Sequence, residues 1–399
     1  MIALTVLAPL FLAASSAFGP DTVRISLFTL FKPQALNVRI VSGEAVLDAP
    51  GVARSRAINQ GELIRIRRSG NRLNIVVAGS RGGANQSLAV SEARIAPSRS
   101  AKLELILPGK IARPVRGEVS VDAGLGGRGP LRIVLITERE LAVASIVAAE
   151  MGARQTEALK ALSVVVRTYM LAHAGRHSAE GFDFCDTTHC QLYRGEDDLS
   201  DEAASVAVTN AVARTAGQVL TFHDRPIEGF YSAVCGGESA TPSMVWGGSN
   251  DYPYGRVVCR WCKASRFSRW ERSANAARVV QALSAYVGSS LSPAAELIVD
   301  SDQPGGFVRS VGVRDAGRQI QLSADAFRRA IGLKLGWNTV LSPTFTVERR
   351  GFRFVFRGRG FGSQVGLCEA GAVAQAAAGR GYREILSFYY PAAEIGGQS

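Results

Sequence analysis

Glu150 is the residue in this sequence whose type and surroundings most clearly suggest acid–base chemistry. It closes an apolar helical run, residues 146–149, and the preceding turn carries no cation to hold its charge. Apolar surroundings raise the pKa of a carboxyl group, and a protonated glutamic acid in an apolar wall can protonate a glycosidic oxygen. The simpler alternative is a surface glutamate near a helix end, which composition alone favours because every chain carries many glutamates.

Two histidines and two cysteines form the best candidate for a metal site. They are His177, Cys185, His189 and Cys190, and imidazoles and thiolates are the ligands that zinc takes in tetrahedral sites. Their spacing departs from the paired CxxC and HxxxH pattern, so the adjacent His189 and Cys190 must both point inward from an irregular loop. The alternative is a disulfide between Cys185 and Cys190 in an oxidising compartment, with His189 only hydrogen-bonded.

The remaining cysteines are Cys235, Cys259, Cys262 and Cys368. The CxxC formed by Cys259 and Cys262 lacks the strand-to-helix setting that lowers the pKa of the first thiol in redox proteins, so a redox role is not expected. In an exported chain we expect a disulfide, such as one from Cys235 to either member of the pair. Cys368 could pair with one of these three or lie near the cleft.

The overall composition describes a packed globular chain with a basic surface. Of its 399 residues 47% are apolar and 20% are charged, which excludes wholesale disorder and predicts two or more domains. The net charge of +12 comes mostly from arginine and suits an acidic polymer as partner. No long run of basic residues and no nucleic-acid-binding motif accompanies this charge, so we expect a solvated arginine-rich surface and no nucleic-acid partner.

The first residues resemble an export signal. Residues 2–14 form an uncharged apolar run, and the small residues Ser15, Ser16 and Ala17 follow where a signal peptidase cleaves. We therefore predict a signal peptide over residues 1–19 and a location in the periplasm or cell wall. A core helix or an uncleaved anchor is the alternative. Beyond this leader, no stretch approaches the roughly 18 apolar residues that a membrane span needs, so we expect no other span.

The elements that must position these side chains change character along the chain. Short apolar or alternating runs separated by Gly, Pro, Asn and Ser predict a β-rich region over residues 20–130. At Thr137 the spacing becomes helical, a second helix is predicted from Thr156 to His173, and Glu150 lies near their junction. Helices and strands then alternate irregularly, so we predict an α+β fold with a mixed domain over residues 131–395.

Several segments resemble, in order, the motifs of the SpoIID/LytB family of peptidoglycan lytic transglycosylases. The segment from Glu150 to Tyr169 is similar to the catalytic stretch of that family. The other similar segments, together spanning about residues 116–395, include residues 185–193, 230–237, 245–248, 335–338, 358–366, 371–372 and 389–391.

The resemblance implies an enzyme that cleaves glycan strands with a single carboxyl group. It implies that Glu150 is the catalytic acid and base, protonating the bond between N-acetylmuramic acid (MurNAc) and N-acetylglucosamine (GlcNAc). The ionised glutamate then takes the proton of the sugar's own C6 hydroxyl as that hydroxyl attacks, giving a 1,6-anhydro product. A water-activating second carboxylate is not required.

Four further residues become candidates for substrate binding. Lys160 and Arg167 match basic positions of the family motif, while Tyr231 and Trp246 offer aromatic surfaces for stacking against sugars. Each has a simpler explanation: Lys160 could lie on a solvated helix face, Arg167 could be paired inside the protein, and the two aromatic side chains could belong to the core.

The resemblance also bears on cofactor and partners. Family members can bind zinc at the segment that contains Cys185 and Cys190, which favours a structural zinc ion over the disulfide. The implied partner is peptidoglycan, and a cell-wall amidase is a further partner that the resemblance allows, because the family includes non-catalytic wall-binding proteins that enhance an amidase. That non-catalytic role is the alternative to the transglycosylase.

One family motif is incomplete in this chain. In residues 358–366 a histidine is usual where Ser363 stands, and a glycine is often found where Gln364 stands. If the histidine assists proton movement or positions the sugar, this chain has reassigned that role or lost activity. The glycines themselves are explained by a tight turn that lets the backbone approach another segment closely.

Overall fold

The computed structural model describes most of the chain after the predicted leader. The described residues are 21–52, 55–78, 86–124, 129–151, 155–199, 201–248, 253–303 and 305–397. The signal peptide predicted over residues 1–19 lies outside them. Among the helices of the described residues, none combines the length and the apolar character that crossing a membrane requires.

Strands dominate the first part of the described chain, as the alternating sequence pattern predicts. The strands before the first helix are β1 (Thr22–Ser26), β2 (Ala35–Ser42), β3 (Ala45–Asp48), β4 (Arg56–Ile58), β5 (Leu63–Ser69), β6 (Arg72–Ala78), β7 (Gln86–Val90), β8 (Glu92–Pro97), β9 (Lys102–Leu107), β10 (Ile111–Val115), β11 (Glu118–Asp122) and β12 (Arg132–Glu138).

Helices and shorter strands alternate after β12, which confirms the predicted α+β class. The helices are α1 (Arg139–Met151), α2 (Thr156–Ala172), α3 (Glu202–Arg214), α4 (Pro242–Trp246), α5 (Ala276–Val287), α6 (Ala324–Leu335), α7 (Glu369–Ala377) and α8 (Tyr382–Tyr389). The strands are β13 (Phe184–Cys185), β14 (Val219–Phe222), β15 (Arg225–Pro226), β16 (Tyr231–Ser232), β17 (Trp270–Asn275), β18 (Glu296–Ser301), β19 (Val308–Asp315), β20 (Arg318–Ser323), β21 (Phe345–Arg350), β22 (Arg353–Gly358), β23 (Leu367–Cys368) and β24 (Glu394–Gly396).

Two large sheets organise the β-rich region. One has the strand order β13-β1-β12-β11-β8-β3-β4, and the other has the order β10-β9-β2-β5-β6-β7. Alternate residues of β2, namely Leu36, Val38 and Ile40, are buried while their neighbours are more accessible, the pattern of a strand with one face on the core. The short β13 pairs in parallel with β1, so the segment after α2 is fastened to the first sheet.

The buried apolar residues of the described chain form two main cores. The first joins strands of both large sheets to α1 and α2, and therefore includes residues on both sides of residue 130. The second lies between Trp270 and Phe356 and is formed by α5, α6 and two three-stranded sheets, β17-β22-β21 and β18-β19-β20. This second core is inserted in the chain between the CxxC at 259–262 and the glycine-rich segment that follows β22. The predicted division at residues 20–130 and 131–395 stays a prediction.

Candidate functional site

Glu150 lies in the last turn of α1, half-buried behind the apolar side chains of that helix. Burial is the main cause that raises the pKa of its carboxyl group, from an ordinary value of 4.5 to about 7, and hydrogen bonds from the Leu192 backbone N–H and the Tyr231 side chain oppose part of this rise. A carboxyl group with a pKa near neutrality can donate a proton and take one back at the same pH. The structure therefore gives Glu150 the electrostatic character that its apolar flank predicts.

An ion pair between a buried arginine and a partly exposed glutamate holds α1 against α2. Arg167 on α2 is fully buried, and its guanidinium donates to both carboxylate oxygens of Glu140 in the first turn of α1, at 2.7 and 2.6 Å. A third hydrogen bond runs from Arg167 to the carbonyl oxygen of Gln218 at 2.9 Å. Such a two-pronged pair fixes both distance and orientation. Arg167 therefore positions the helix that carries Glu150, and its role in substrate binding stays a prediction.

The loop after β13 supplies the polar wall of the site. The Tyr231 hydroxyl on β16 lies 3.1 Å from Gln191 Oε1, so its single proton can be donated either to that oxygen or to Glu150, and the backbone N–H of Leu192 faces Glu150. Gln191 is 3% exposed, and its side-chain nitrogen is buried without a hydrogen-bond partner. A buried amide donor without a partner is costly in isolation, so a ligand hydroxyl or carbonyl that accepts from it gains affinity.

A second carboxyl group that the sequence analysis did not single out lies beside the first. β16 and β23 pair in parallel, with Tyr231 opposite Leu367 and Ser232 opposite Cys368. Glu369 follows directly as the first residue of α7 and is 6% exposed. Burial, followed by the charge of Glu150, raises the pKa of Glu369 well above its ordinary value. Burial therefore favours the protonated form of Glu369, which can donate a hydrogen bond.

The two remaining predicted substrate-binding residues differ in their surroundings. The Lys160 ammonium donates to Glu157 Oε1 at 2.5 Å and lies 5.6 Å from the centre of the Tyr382 ring, so it is engaged within the protein. Trp246 is 45% exposed, and its ring centre lies 4.8 Å from that of Phe230, the neighbour of Tyr231. An exposed indole next to the site is suited to stacking against a sugar ring.

Trp246 also lines a cleft with charged walls. The cleft has a volume of about 520 Å³, and Arg256, Asp302, Phe307 and Arg309 are among its other lining residues. Asp302, Phe307 and Arg309 come from the segment between Trp270 and Phe356 that contains the second core. This segment therefore contributes to the surface beside Phe230.

The four predicted zinc ligands converge, with ligand atoms mutually within 4.8 Å. His177 Nε2 lies 3.3 Å from Cys190 Sγ, while His189 Nδ1 lies 3.6 Å from Cys185 Sγ and 3.7 Å from Cys190 Sγ. A nitrogen and a sulfur that share one tetrahedral zinc ion are separated by about 3.6 Å, given metal–ligand bonds of about 2.1 and 2.3 Å. The donor set and its spacing therefore fit zinc.

An outer carboxylate completes this cluster. Glu180 Oε1 lies 2.6 Å from His177 Nδ1, which orients the ring so that Nε2 faces the thiols. Cys190 immediately precedes Gln191 and Leu192, so an ion bound here would fix the loop that presents both residues to Glu150. The position of the cluster therefore suits a structural role, because its last ligand, Cys190, directly precedes Gln191 in the wall of the site.

Asp186 ties the same loop to the N-terminal sheet. Its carboxylate accepts hydrogen bonds from the backbone N–H groups of Phe28 and Thr29 at 2.7 and 3.2 Å, and from Arg113 Nη1 at 2.8 Å. The side chains of Asp186 and Arg113 are only 5% and 7% exposed. Because the two charges satisfy each other in a buried setting, removal of either leaves an uncompensated charge behind.

The departures from the glycine-rich family motif have different consequences. Gln364 adopts a left-handed backbone with φ of +66°, which explains why a glycine suits this position. Its fully buried side chain accepts from Thr344 Oγ1 at 2.8 Å and donates to the carbonyl oxygens of Cys235 and Arg359. These bonds offset the backbone strain. Ser363 is half-buried and accepts from the Val365 N–H within its own turn.

Replacing Glu150 with glutamine should change the pH dependence of folding stability. The pKa of the Glu150 carboxyl is about 7 in the folded protein and ordinarily 4.5, so between these pH values the folded state holds a proton that the unfolded state has lost. The free energy of unfolding of the wild type therefore falls as pH rises from about 4.5 to about 7. Glutamine does not titrate. We expect the free energy of unfolding of the variant, relative to that of the wild type, to rise by up to about 3 kcal/mol over this pH range.

Chemical denaturation of both proteins at pH 4.5 and pH 8 measures this difference. Glu138→Gln, which alters an exposed glutamate just before α1, is the matched control and should show no such trend. A stability difference between Glu150→Gln and the wild type that is equal at both pH values would contradict the raised pKa.

Comparison with known proteins places these features in context. Residues 129–222, which include α1, α2 and the His177–Cys190 cluster, match the SpoIID family model, described as stage II sporulation protein. Over 265 residues the chain is 28% identical to stage II sporulation protein D of Bacillus subtilis, covering 63% of this chain and 73% of that protein.

Two further relatives differ in extent. An uncharacterized protein of Brachyspira hyodysenteriae is 27% identical over 240 residues, covering 60% of this chain and 61% of the relative, which is less than two thirds of its length. The amidase enhancer of Bacillus subtilis is 24% identical over 275 residues, covering 59% of this chain and 37% of that protein.

Proposed function

Because this chain belongs to the SpoIID family of cell-wall proteins, we propose that it is an exported lytic transglycosylase that cleaves the MurNAc–GlcNAc bond of peptidoglycan. The observation that carries the proposal is the half-buried Glu150 carboxyl group, whose pKa is raised to about 7 by burial and which faces the Leu192 N–H and Tyr231. A carboxyl group with this pKa, beside donors that stabilise its ionised form, is suited both to donating a proton and to accepting one.

The proposed reaction uses one carboxyl group twice. Glu150 donates its proton to the oxygen between the two sugars, the bond from MurNAc C1 to that oxygen breaks, and the GlcNAc hydroxyl leaves with the proton. The ionised Glu150 then takes the proton of the MurNAc C6 hydroxyl, whose oxygen bonds to C1. Glu150 returns to its protonated form, water is neither consumed nor released, and the new end is a 1,6-anhydro sugar.

The state of Glu369 supports this one-carboxylate route. A hydrolase that inverts needs a second, ionised carboxylate to activate water, and one that retains needs it as a nucleophile. Burial and the charge of Glu150 both raise the pKa of Glu369, so ionisation of both carboxyl groups at once is disfavoured. In the proposed route Glu369 keeps its proton while Glu150 is ionised, and in that form it donates a hydrogen bond and does not act as base or nucleophile.

We assign substrate binding to a small set of polar and aromatic side chains. We assign Tyr231 and the unpartnered amide of Gln191 to the sugar next to the scissile bond, and the exposed face of Trp246 to a sugar farther along the strand. Lys160 joins this set only if substrate displaces its bond to Glu157. A zinc ion held by His177, Cys185, His189 and Cys190 would supply structure, keeping Gln191 and Leu192 in place.

A specific finding favours a second candidate, a wall-binding protein that enhances a partner amidase without cleaving glycan. The chain is 24% identical to a protein named amidase enhancer, and Ser363 stands where the glycine-rich family motif usually has histidine. Both functions bring the chain to peptidoglycan, and its net charge of +12 suits the carboxylates of the wall. They differ in whether new glycan ends appear.

Incubation of the purified protein with sacculi tests the two candidates. Both intact sacculi and sacculi stripped of stem peptides should be offered, and soluble products and retained protein are measured together. Release of fragments with 1,6-anhydro-MurNAc ends from either substrate supports the transglycosylase. Tight binding with no new ends on either substrate, together with faster cleavage by an added amidase, supports the enhancer and contradicts the enzyme.

A further inference from the structure

Four buried cysteines outside the site meet at one point. The Sγ atoms of Cys235, Cys259, Cys262 and Cys368 all lie within 4.8 Å of one another, and the Sγ atoms of Cys235 and Cys262 are 3.5 Å apart. All four residues are buried and all four thiols are free. Three separate segments contribute: the turn after β16, the CxxC at 259–262 and the end of β23, directly before α7. We call these residues the four-cysteine cluster.

The distances in the four-cysteine cluster suit a single metal ion. Sulfurs joined in a disulfide are about 2.05 Å apart, and two disulfides would divide the four residues into pairs. Four thiolates around one tetrahedral zinc ion, with zinc–sulfur bonds of about 2.3 Å, lie about 3.8 Å from one another. The 3.5 Å separation of Cys235 and Cys262 is close to this value. Sulfurs this close can share one ion and leave no room for an iron–sulfur cluster between them.

The surroundings of the cluster suit thiolates. Backbone N–H groups of Cys235 and Gly371 donate to Cys368 Sγ at 3.3 and 3.4 Å. The Tyr389 hydroxyl lies 3.3 Å from Cys259 Sγ. Donors of this kind orient metal-bound sulfurs and reduce their negative charge, as outer groups do in metal sites.

We propose that Cys235, Cys259, Cys262 and Cys368 bind one zinc ion as a tetrathiolate site, separate from the cluster of His177, Cys185, His189 and Cys190. In an oxidising compartment, coordination would also protect these four neighbouring thiols from oxidation. This inference replaces the disulfide expected from the sequence, and it does not depend on the proposed function.

The four-cysteine site would fasten the elements beside Glu150. Cys368 lies opposite Ser232 in the β16–β23 pair and directly precedes Glu369, while Tyr231 precedes Ser232. The CxxC adds the segment that leads into the second core. One ion would therefore fix Tyr231 and Glu369 relative to each other without touching substrate, which is a positioning role.

X-ray absorption of the wild-type protein, purified without reductant or chelator, tests the site directly. With both clusters loaded we expect two zinc ions per chain and, on average, three sulfur and one nitrogen neighbours per zinc, the sulfurs at about 2.3 Å. One zinc with four sulfur neighbours also supports the proposal. One zinc with two sulfur and two nitrogen neighbours overturns it, as does a protein without zinc whose Cys235, Cys259, Cys262 and Cys368 are found in disulfides by peptide mass mapping.

Paired variants assign the metal to its residues. We expect Cys259→Ser with Cys262→Ser to lose one equivalent of zinc, and Cys185→Ser with Cys190→Ser, the matched control, to lose the other. Zinc retained in full by the first pair overturns the proposal. Should that pair fail to fold, the wild-type absorption spectrum and thiol mapping still decide. Glu150→Gln should keep both ions, so failure of the proposed enzyme activity and failure of the metal site are distinguishable.

Discussion

Glu150→Gln should lower the rate of release of anhydro-muropeptides by about 10³-fold, within the roughly 10²- to 10⁴-fold that general acid–base catalysis contributes. Glutamine keeps the shape of the side chain and can still hydrogen-bond, but it has no proton to give to the glycosidic oxygen and cannot take one from the C6 hydroxyl. Because both steps use the same carboxyl group, both should suffer. The measurement is the initial rate of product release from sacculi, followed by mass spectrometry.

The matched control is Glu138→Gln, on the exposed end of β12 one residue before α1 begins. It removes an exposed carboxylate at the opposite end of α1 and should leave the rate within about twofold, because a distant exposed charge is screened by solvent. Binding of both variants to sacculi should equal that of the wild type. Equal rates for Glu150→Gln and the wild type would contradict the assignment of Glu150.

Asp186→Ala should have the largest effect on stability, about 3–5 kcal/mol. The substitution leaves Arg113 buried without its partner and removes the acceptor of the Phe28 and Thr29 N–H groups. A loss of this size is a large part of the stability of an ordinary domain, so we expect the loop that carries Gln191 to detach from the N-terminal sheet or the domain to unfold. Denaturant unfolding followed by circular dichroism measures the loss.

Asp183→Ala is a control from the same loop. Asp183 accepts a hydrogen bond from the Arg24 backbone N–H at 2.8 Å and forms an ion pair with the Arg24 side chain, but these side chains are 21% and 44% exposed. Solvent can replace what the substitution removes, so we expect a loss of about 1 kcal/mol or less. Equal losses for the two variants would show that burial of the Asp186–Arg113 pair is not what matters.

Local spacing predicts the helices around the site well. The predicted helix from Thr156 to His173 corresponds to α2, Thr156–Ala172, because its apolar residues recur at helical spacing and pack into the first core. Strands with distant partners are harder to predict, and β17, directly before α5, is an example. β17 pairs with β22, far along the chain, and a strand held by such a distant partner leaves a weak local signal.

The site itself could be predicted only in part. The acid at position 150 stands out because it follows an apolar run in a segment that resembles the family's catalytic stretch. The four residues of the His177–Cys190 cluster stand out because imidazoles and thiols lie close together in sequence. Glu369 carries the same signal, a lone acid among small and apolar residues, but its closeness to Glu150 depends on the parallel pairing of β16 with β23. No local pattern reveals that pairing.

The cysteines illustrate the same point. The sequence predicts a disulfide, such as one from Cys235 to the CxxC, because exported chains usually oxidise their cysteines, and it leaves the place of Cys368 open. In the structure Cys368 joins them, since β23 lies beside β16. Arg167 shows the converse: its place in an apolar helix indicates an internal pair, and only the fold identifies Glu140 as the partner.

The most direct test of the central claim, that Glu150 drives attack by the sugar's own hydroxyl, is digestion of sacculi in water enriched in heavy oxygen, with mass analysis of the new glycan ends. The account predicts ends that are lighter than hydrolytic ends by one water and carry no heavy oxygen, with this product absent from the Glu150→Gln reaction. Heavy oxygen incorporated at new reducing ends, or anhydro ends produced equally by the variant, would contradict it.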